Sequence, residues 1–306
     1  MDTSDRLILG ELANRCRISF SKIAEKYEVS LNTIKNRIEA LVEMGVISNF
    51  VVELPLEKLN ASFAIIILDI KTDTSKDQLI SLGRNSFIMA LGLGYELQGF
   101  AIVVYRTNAE LVEAIDFLQS SNLVTQARAM PLIAPPSTVD TTSIKGIDTL
   151  KKIDWKILKS LQWNGRKPLG EIASDVGVSV PTVRKRLAYM RKHNLIHETI
   201  QVNPAASEHD LVVMLLVRSP AAAHEYYKLD GRFREQWPEN YWIFYRSANN
   251  MELMVTFVVE SSKKVASLRS EMTKVLEDSE IINQVIVPEW LFFPDFRDEM
   301  IDTHVE

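Results

Sequence analysis

Polar side chains able to read a nucleic-acid duplex occur at two places in the chain, 149 residues apart. Asn32, Thr33, Lys35 and Asn36 form the first group, and Thr182, Arg184 and Lys185, beside Pro181, form the second. An amide side chain carries a donor and an acceptor side by side, which suits an adenine edge, while guanidinium and ammonium groups suit guanine edges and phosphates. Arg37 and Arg186 flank these groups next to apolar residues, a place for a phosphate or structural contact, and Arg191 and Lys192 follow in the second copy. Ile34, Ile38 and Leu41 recur at helical spacing, so they turn inward and leave the polar residues on the outer face. For one helix a merely solvated face would explain the pattern; two gapless copies argue for a reading surface.

The elements that must position these residues repeat with the same step. Asp5, Ile8-Leu9, Leu12, Ile23-Ala24, Val29-Ser30, Thr33-Ile34, Arg37-Ile38, Leu41 and Val46-Ile47 return as Asp154, Ile157-Leu158, Leu161, Ile172-Ala173, Val178-Ser179, Thr182-Val183, Arg186-Leu187, Met190 and Leu195-Ile196. Helices are predicted over residues 5–14, over 20–27 after Ser19 as N-cap, and from Ser30 to a stop at Gly45. A β-rich segment runs from there to Pro55. Helix, helix, turn, helix, strand is the winged helix-turn-helix order.

Strands over 63–70, 87–93, 97–106 and 124–133, with helices over 75–85 and 108–120, then give a βαββαβ order, the ferredoxin-like sandwich. A polar Pro/Thr-rich stretch, 134–143, reads as a linker. The plan repeats with a helical unit over 153–194 and strands over 211–217, 241–246, 253–259 and 281–287. Helices over 221–236 and 263–276 complete the second copy. The fold class is therefore α+β, two winged helix-turn-helix domains each followed by a ferredoxin-like βαββαβ domain. The boundaries are 1–54 and 55–134 for the first pair, a linker over 135–150, then 151–203 and 204–306. The tail after Trp290, with Asp295, Asp298, Glu299, Asp302 and Glu306, reads as a solvated acidic end.

Composition bounds the function classes. The 306 residues are 46% hydrophobic and 25% charged, ordinary for a globular protein with a real core. The single cysteine, Cys16, reads as a small buried hydrophobe, and no Cys/His spacing suggests a metal. His193, His197, His209, His224 and His304 show no catalytic spacing. The N-terminus has no apolar signal region, and residues 86–105, apolar but broken by glycines, read as two strands rather than a membrane span. A cytoplasmic protein without membrane contact is expected.

Net charge is −5, but the copies differ. Residues 1–47 hold seven basic and seven acidic side chains, whereas 148–196 hold eleven basic and four acidic ones. Phosphate neutralisation supplies most non-specific affinity for nucleic acid, so the second copy should carry more of it.

The run Arg17, Ser19, Ile23-Ala24, Val29-Ser30, Thr33-Ile34, Arg37-Ile38, Leu41, Gly45-Val46-Ile47 resembles the Lrp/AsnC, or leucine-responsive, regulators. The following βαββαβ segment is similar to that family's effector and oligomerisation domain. The resemblance implies a sequence-specific transcription regulator, not an enzyme, that binds double-stranded DNA and works as an oligomer, here through sheets pairing within the chain or between chains. It also implies an amino-acid-like effector near the Gly-rich turn Gly92, Gly94, Tyr95 and Glu96, with no cofactor. The second copy departs from the pattern, with Asn194 in place of Gly45 and Pro168 in place of Ser19.

Two rival readings remain. Siroheme decarboxylases resemble the same architecture, yet would need basic and histidine side chains in the sheets, where this chain offers mainly Arg106, Arg128, Arg218 and Arg246. A protein-interaction hub with a degenerate first DNA-binding unit is the other. The aromatic cluster Trp237, Tyr241, Trp242, Phe244 and Tyr245 reads as core or interface, with alternation placing Tyr241, Ile243 and Tyr245 on one face and Trp242 and Phe244 on the other.

Overall fold

Two winged helical segments, each leading into a four-stranded sheet with helices, follow one another along the chain, in the order the repeat predicts. The computed structural model describes residues 1–94, 97–133, 146–207, 210–248 and 251–305. Most of the linker assignment, from 135 to 145, lies outside the described residues, as do residue 134, Tyr95 and Glu96 of the effector assignment, and Glu306 of the acidic tail. The described elements form two units. One combines the first 61 residues, the helical segment up to Asn203 and the chain from Pro294 onward; the other holds residues 62–133 and Pro204–Phe293. No described helix is long and apolar enough to cross a membrane.

In the first unit, helices α1 (Thr3–Asn14), α2 (Phe20–Lys26) and α3 (Leu31–Glu43) precede strand β1 (Ile47–Glu53). After the sheet elements of the first half, α6 (Lys152–Leu161), α7 (Leu169–Val176) and α8 (Val180–Lys192) precede β6 (His197–Val202). Ser30 and Ser179 cap α3 and α8, accepting hydrogen bonds from the backbone N–H of Thr33 and Thr182. Pro168 stands where Ser19 caps α2 and supplies no side-chain cap. Asn194 replaces Gly45 without loss of the helix stop, because both adopt the left-handed region, at φ 49° and 78°; asparagine is among the few side chains that tolerate it. Ile8, Leu9, Leu12, Ile23, Ile34, Ile38 and Leu41 are buried in one copy, and Ile157, Leu158, Leu161, Ile172, Val183, Leu187 and Met190 in the other.

The two wings pair with each other. Strands β1 and β6 form an antiparallel ribbon in which Phe50 faces Ile200 and Val51 faces Thr199. Under the 149-residue offset Phe50 corresponds to Thr199 and Val51 to Ile200. The two pairs are therefore images of each other, and the ribbon is centred on a local two-fold relation, the signature of an isologous contact.

The acidic tail is not a solvated end. Residues Phe296–Val305 form a helix, α12, with Phe296, Arg297 and Ile301 buried. His304 stacks on Trp155 of α6 at 4.1 Å, Gln162 donates to Asp298 at 2.5 Å, and Lys159 pairs with Asp302. Arg297 reaches both Asp295 and Glu53, each at 2.6 Å. Sequence composition marks Asp298 and Asp302 as surplus charge because their partners, Gln162 and Lys159, lie far away in the chain.

The second unit is built from β2 (Ser62–Ile70), α4 (Lys76–Leu82), β3 (Ile88–Leu93), β4 (Gln98–Tyr105), α5 (Asn108–Ser120) and β5 (Val124–Ile133). Its second half holds β7 (Leu211–Arg218), α9 (Ala221–His224), α10 (Tyr226–Gln236), β8 (Tyr241–Ser247), β9 (Glu252–Val259), α11 (Ser262–Val275), β10 (Glu280–Val287) and β11 (Glu289–Phe292). The helix predicted over 221–236 is thus interrupted at Glu225. Strand orders β5-β2-β4-β3 and β10-β7-β9-β8 are those of two ferredoxin-like sheets. The end of β5 adds to β8 through Leu132 and Ile133, and β11, continuing from β10, adds to β3. Each sheet thereby covers the other's edge, which removes two unpaired strand edges.

Alternate residues of β2, Ala64, Ile66, Leu68 and Ile70, pack under α4 and α5, while Ile65 and Ile67 are buried on the opposite face. Phe63 of β2 meets Tyr245 of β8 edge-on at 5.2 Å, so the sheets face each other on their helix-free sides. Burial there pushes the Tyr245 hydroxyl up to about 12. The expected alternation over 241–245 fails for a local reason. The ladder between β8 and β9 slips between Tyr241 and Ile243, a bulge that turns Tyr241 to the same side as Phe244, where both pack with Tyr226, Phe233 and Trp237.

Candidate nucleic-acid interface

Helices α3 and α8 carry the polar groups singled out from the sequence, and packing sorts those groups into two kinds. Ile34, Ile38 and Leu41, and likewise Val183, Leu187 and Met190, are buried, which fixes the rotation of each helix. Asn32, Lys35 and Asn36 then stand exposed on α3, and Arg184, Lys185 and Lys192 on α8. Thr33 and Thr182 are half-buried, their hydroxyls 2.7 and 2.9 Å from the capping Ser30 and Ser179.

The flanking arginines are committed within the domains. Arg37 donates to Asp2 and Asp5, both at 2.8 Å. Its counterpart Arg186 grips Asp154 through Nε and Nη2, and Asp154 is fully buried. These hydrogen bonds, to Asp5 first in one copy and to Asp154 in the other, hold both guanidiniums above their ordinary range. Arg191 forms a fork with Glu198 at 2.9 and 2.6 Å, a carboxylate that also draws Arg15 and Arg17. Arg37, Arg186 and Arg191 therefore hold α3 and α8 in place, and Asn32, Lys35, Asn36, Arg184, Lys185 and Lys192 are the ones aimed outward.

Other cations of the second copy are also engaged. Lys167 pairs with Asp175, Lys159 with Asp302, and Arg166 with backbone carbonyls of the first copy. Lys151, Lys152, Lys156, Arg184, Lys185 and Lys192 remain exposed without an ion pair among the described residues, against Lys22 and Lys35 in the first copy. The imbalance in the sequence thus survives folding, on fewer side chains.

A reciprocal contact sets the copies against each other. Arg17 donates to the carbonyls of Gly165 and Lys167 at 2.7 and 2.9 Å. Arg166, its counterpart one repeat later, donates to the carbonyls of Cys16 and Ile18, the residues flanking Arg17. Arg166 also lies over the Phe20 ring at 4.2 Å. Cys16 sits beside this pair with its thiol pushed up to about 12, first by burial and then by Glu198; it is a packing residue. The spacing Asp5 to Arg37, repeated as Asp154 to Arg186, and the repeated Arg17 and Arg166 were the visible sequence signals for these structural roles.

Of the effector assignment, Gly92 and Gly94 are described. The Phe100 ring fills the space beside Gly92, and the Gln98 carbonyl lies 2.5 Å from where a Gly94 side chain would begin. Close packing accounts for both glycines.

Comparison with known proteins adds the following. The winged helix-turn-helix DNA-binding family matches residues 1–48, and the AsnC-type helix-turn-helix domain matches residues 150–191. An HTH-type transcriptional regulator of Pyrococcus furiosus is 45% identical over 67 residues, 22% of this chain and 45% of that one. The HTH-type transcriptional regulator LrpA of Pyrococcus horikoshii is 32% identical over 84 residues, 28% of this chain and 57% of its own length. The chain spans about half the length of these curated relatives. Among solved structures, the siroheme decarboxylase NirDL has a TM-score of 0.58 at 11% identity, covering 98% of this chain and 97% of that one. Identity at that level carries the fold alone. The chain thus holds a winged helix-turn-helix domain and an AsnC-type helix-turn-helix domain in tandem, in an architecture it shares from end to end with NirDL.

Proposed function

From a chain carrying two such helix-turn-helix domains, we infer a sequence-specific DNA-binding regulator that places both reading helices on one duplex, with the second domain supplying most of the affinity. The observation that carries this reading is the sorting on α3 and α8. Arg37, Arg186 and Arg191 are locked onto carboxylates, whereas Asn32, Lys35, Asn36, Arg184 and Lys185 project outward unengaged among the described residues. A helix held rigidly with polar residues presented on its free face is what major-groove readout needs. In this reading the chain performs no catalysis, and the sheet unit holds the two copies together.

Reversing Arg184 and Lys185 together to Glu is expected to abolish binding to genomic operator fragments in a gel-shift titration, while Lys35→Glu weakens it less. Equal losses from the two copies would remove the claim of asymmetry. Retention of full affinity by the Arg184/Lys185 reversal would remove the second domain from the interface.

A second reading is favoured by one observation, the end-to-end fold likeness to NirDL. On it, the sheet unit would bind a tetrapyrrole with several carboxylates. The basic side chains there fit that role poorly. Arg128 and Arg218 both pair with Glu252, and Arg106 forks onto Glu110. Arg246 lies over the Tyr226 ring at 4.9 Å, and the described strands of these sheets hold no histidine. Titrating the purified protein with siroheme separates the readings: an unchanged Soret band supports DNA regulation, and a saturable shift supports the tetrapyrrole enzyme.

A further inference from the structure

We propose that the chain recognises a non-palindromic site, one half read by the amides Asn32 and Asn36, with Lys35 beside them, favouring A·T pairs, and the other by Arg184 and Lys185 at G·C pairs. The inference rests on the DNA-binding reading above. Its first support is the two-fold relation inside the first unit. The β1–β6 ribbon is centred on symmetry-equivalent residue pairs, and Arg17 and Arg166 exchange equivalent hydrogen bonds. Two reading helices so related present themselves to the duplex in opposite senses, as the subunits of a dimeric repressor do. In a homodimer the two readers are identical, so the preferred site is a palindrome. Fusion into one chain lifts that requirement.

The second support is that the exposed positions have diverged. Under the 149-residue offset, Asn32 faces the duplex where Pro181 does in the other copy, Lys35 where Arg184 does, and Asn36 where Lys185 does. Farther along, Glu39 corresponds to Ala188 and Glu43 to Lys192. All ten are exposed. The residues that hold the helices did not diverge in the same way: Asp5–Arg37 became Asp154–Arg186, and Ser30–Thr33 became Ser179–Thr182. Geometry has been kept while the reading chemistry has changed. Asparagine pairs bidentately with adenine, whereas arginine and lysine pair with the O6 and N7 acceptors of guanine. Glu39 and Glu43 add repulsion toward phosphates at the end of α3, so the first half depends on base contacts more than on charge.

The test is selection from a random duplex library on the full-length protein, with sequencing of the bound pool, beside a Lys35→Arg/Asn36→Lys variant. That variant gives the first copy the second copy's cations at exposed positions, and matched unfolding curves confirm that it folds. The proposal expects two unlike half-sites in inverted orientation, with more guanine in the half read by the second copy, since the first copy carries one outward cation, Lys35, beside two amides. In the variant the other half should change toward the guanine-richer one. The selected duplex should bind on the order of tenfold tighter than a palindrome made from the first half. A palindromic consensus for the unmodified protein overturns the proposal, as does a consensus the variant leaves unchanged; either leaves the DNA-binding reading standing. Duplex retained without any enriched sequence also overturns it. Failure to retain duplex at low salt removes the DNA-binding reading itself.

Discussion

Arg37 and Arg186 occupy the same place in their helices, yet the carboxylates they meet lie in different surroundings. Asp5 and Asp2 are partly open to water beside an arginine that is itself 34% exposed, whereas Asp154 has no exposed surface and Arg186 is 16% exposed. Removing one partner of a buried pair leaves an uncompensated charge, at a cost of about 3–5 kcal/mol, while an exposed pair contributes about 0–1 kcal/mol. Arg186→Ala should therefore lower stability in chemical denaturation far more than Arg37→Ala does; similar midpoints for the two variants would show that Asp154 is not desolvated in solution. Helical spacing alone put both arginines at the edge of the apolar stripe, and from that edge a phosphate contact and a structural one look alike. What decides between them is a carboxylate 32 residues earlier, brought close only when α1 crosses α3 and α6 crosses α8. The outward-facing Asn32, Lys35, Asn36, Arg184 and Lys185 were legible because burial of Ile34, Ile38, Val183 and Leu187 follows from periodicity within a single helix.

At the scale of elements, α12 shows where local pattern runs out. Its apolar residues are few, and its carboxylates resemble a polar tail until Trp155, Lys159 and Gln162 of α6 meet it. Helices α1 to α3 and α6 to α8, by contrast, were written in their own caps and stripes, and the strands of the sheet unit in their apolar runs. The bulge in β8 was invisible because it arises in the ladder with β9 rather than in β8 itself. Burial against α6 raises the Asp298 carboxyl above its ordinary range, with the Gln162 hydrogen bond and the Asp295 backbone opposing the shift, nearby Asp295 adding to it and Arg297 reducing it. An acid raised in the folded state holds its proton more tightly there than in the unfolded chain. Its contribution to stability is full at low pH and fades as pH climbs through the raised value. Carboxylates such as Glu11, held low by a hydrogen bond from Lys26, act in the opposite direction as pH falls. Comparing Asp298→Asn with the parent protein isolates the first effect. The variant is expected to lose stability less steeply as pH rises from about 4 toward neutrality, followed by thermal unfolding across that range. Parallel curves for the two proteins would show that α12 does not bury this carboxyl.

At the scale of the whole molecule, the contacts that in a dimeric regulator would join two subunits are made by one chain. The wing ribbon, the Arg17 and Arg166 exchange and the reciprocal strand additions β5 to β8 and β11 to β3 all link the first half to the second. Folding that depends on association becomes more favourable as protein concentration rises, whereas folding completed within a chain does not. The unfolding midpoint is therefore expected to stay constant over a hundredfold range of concentration. Arg166→Ala should lower it at every concentration, with a stability loss of about 1.5–3 kcal/mol for the charged hydrogen bonds it removes and the carbonyls it leaves unpaired. A midpoint that rises with concentration would mean that these contacts form between chains, the first half of one on the second half of another. In both cases α3 is set against α8, an unlike helix, so the concentration series separates folding within one chain from exchange between chains and leaves the identity of the pair unchanged.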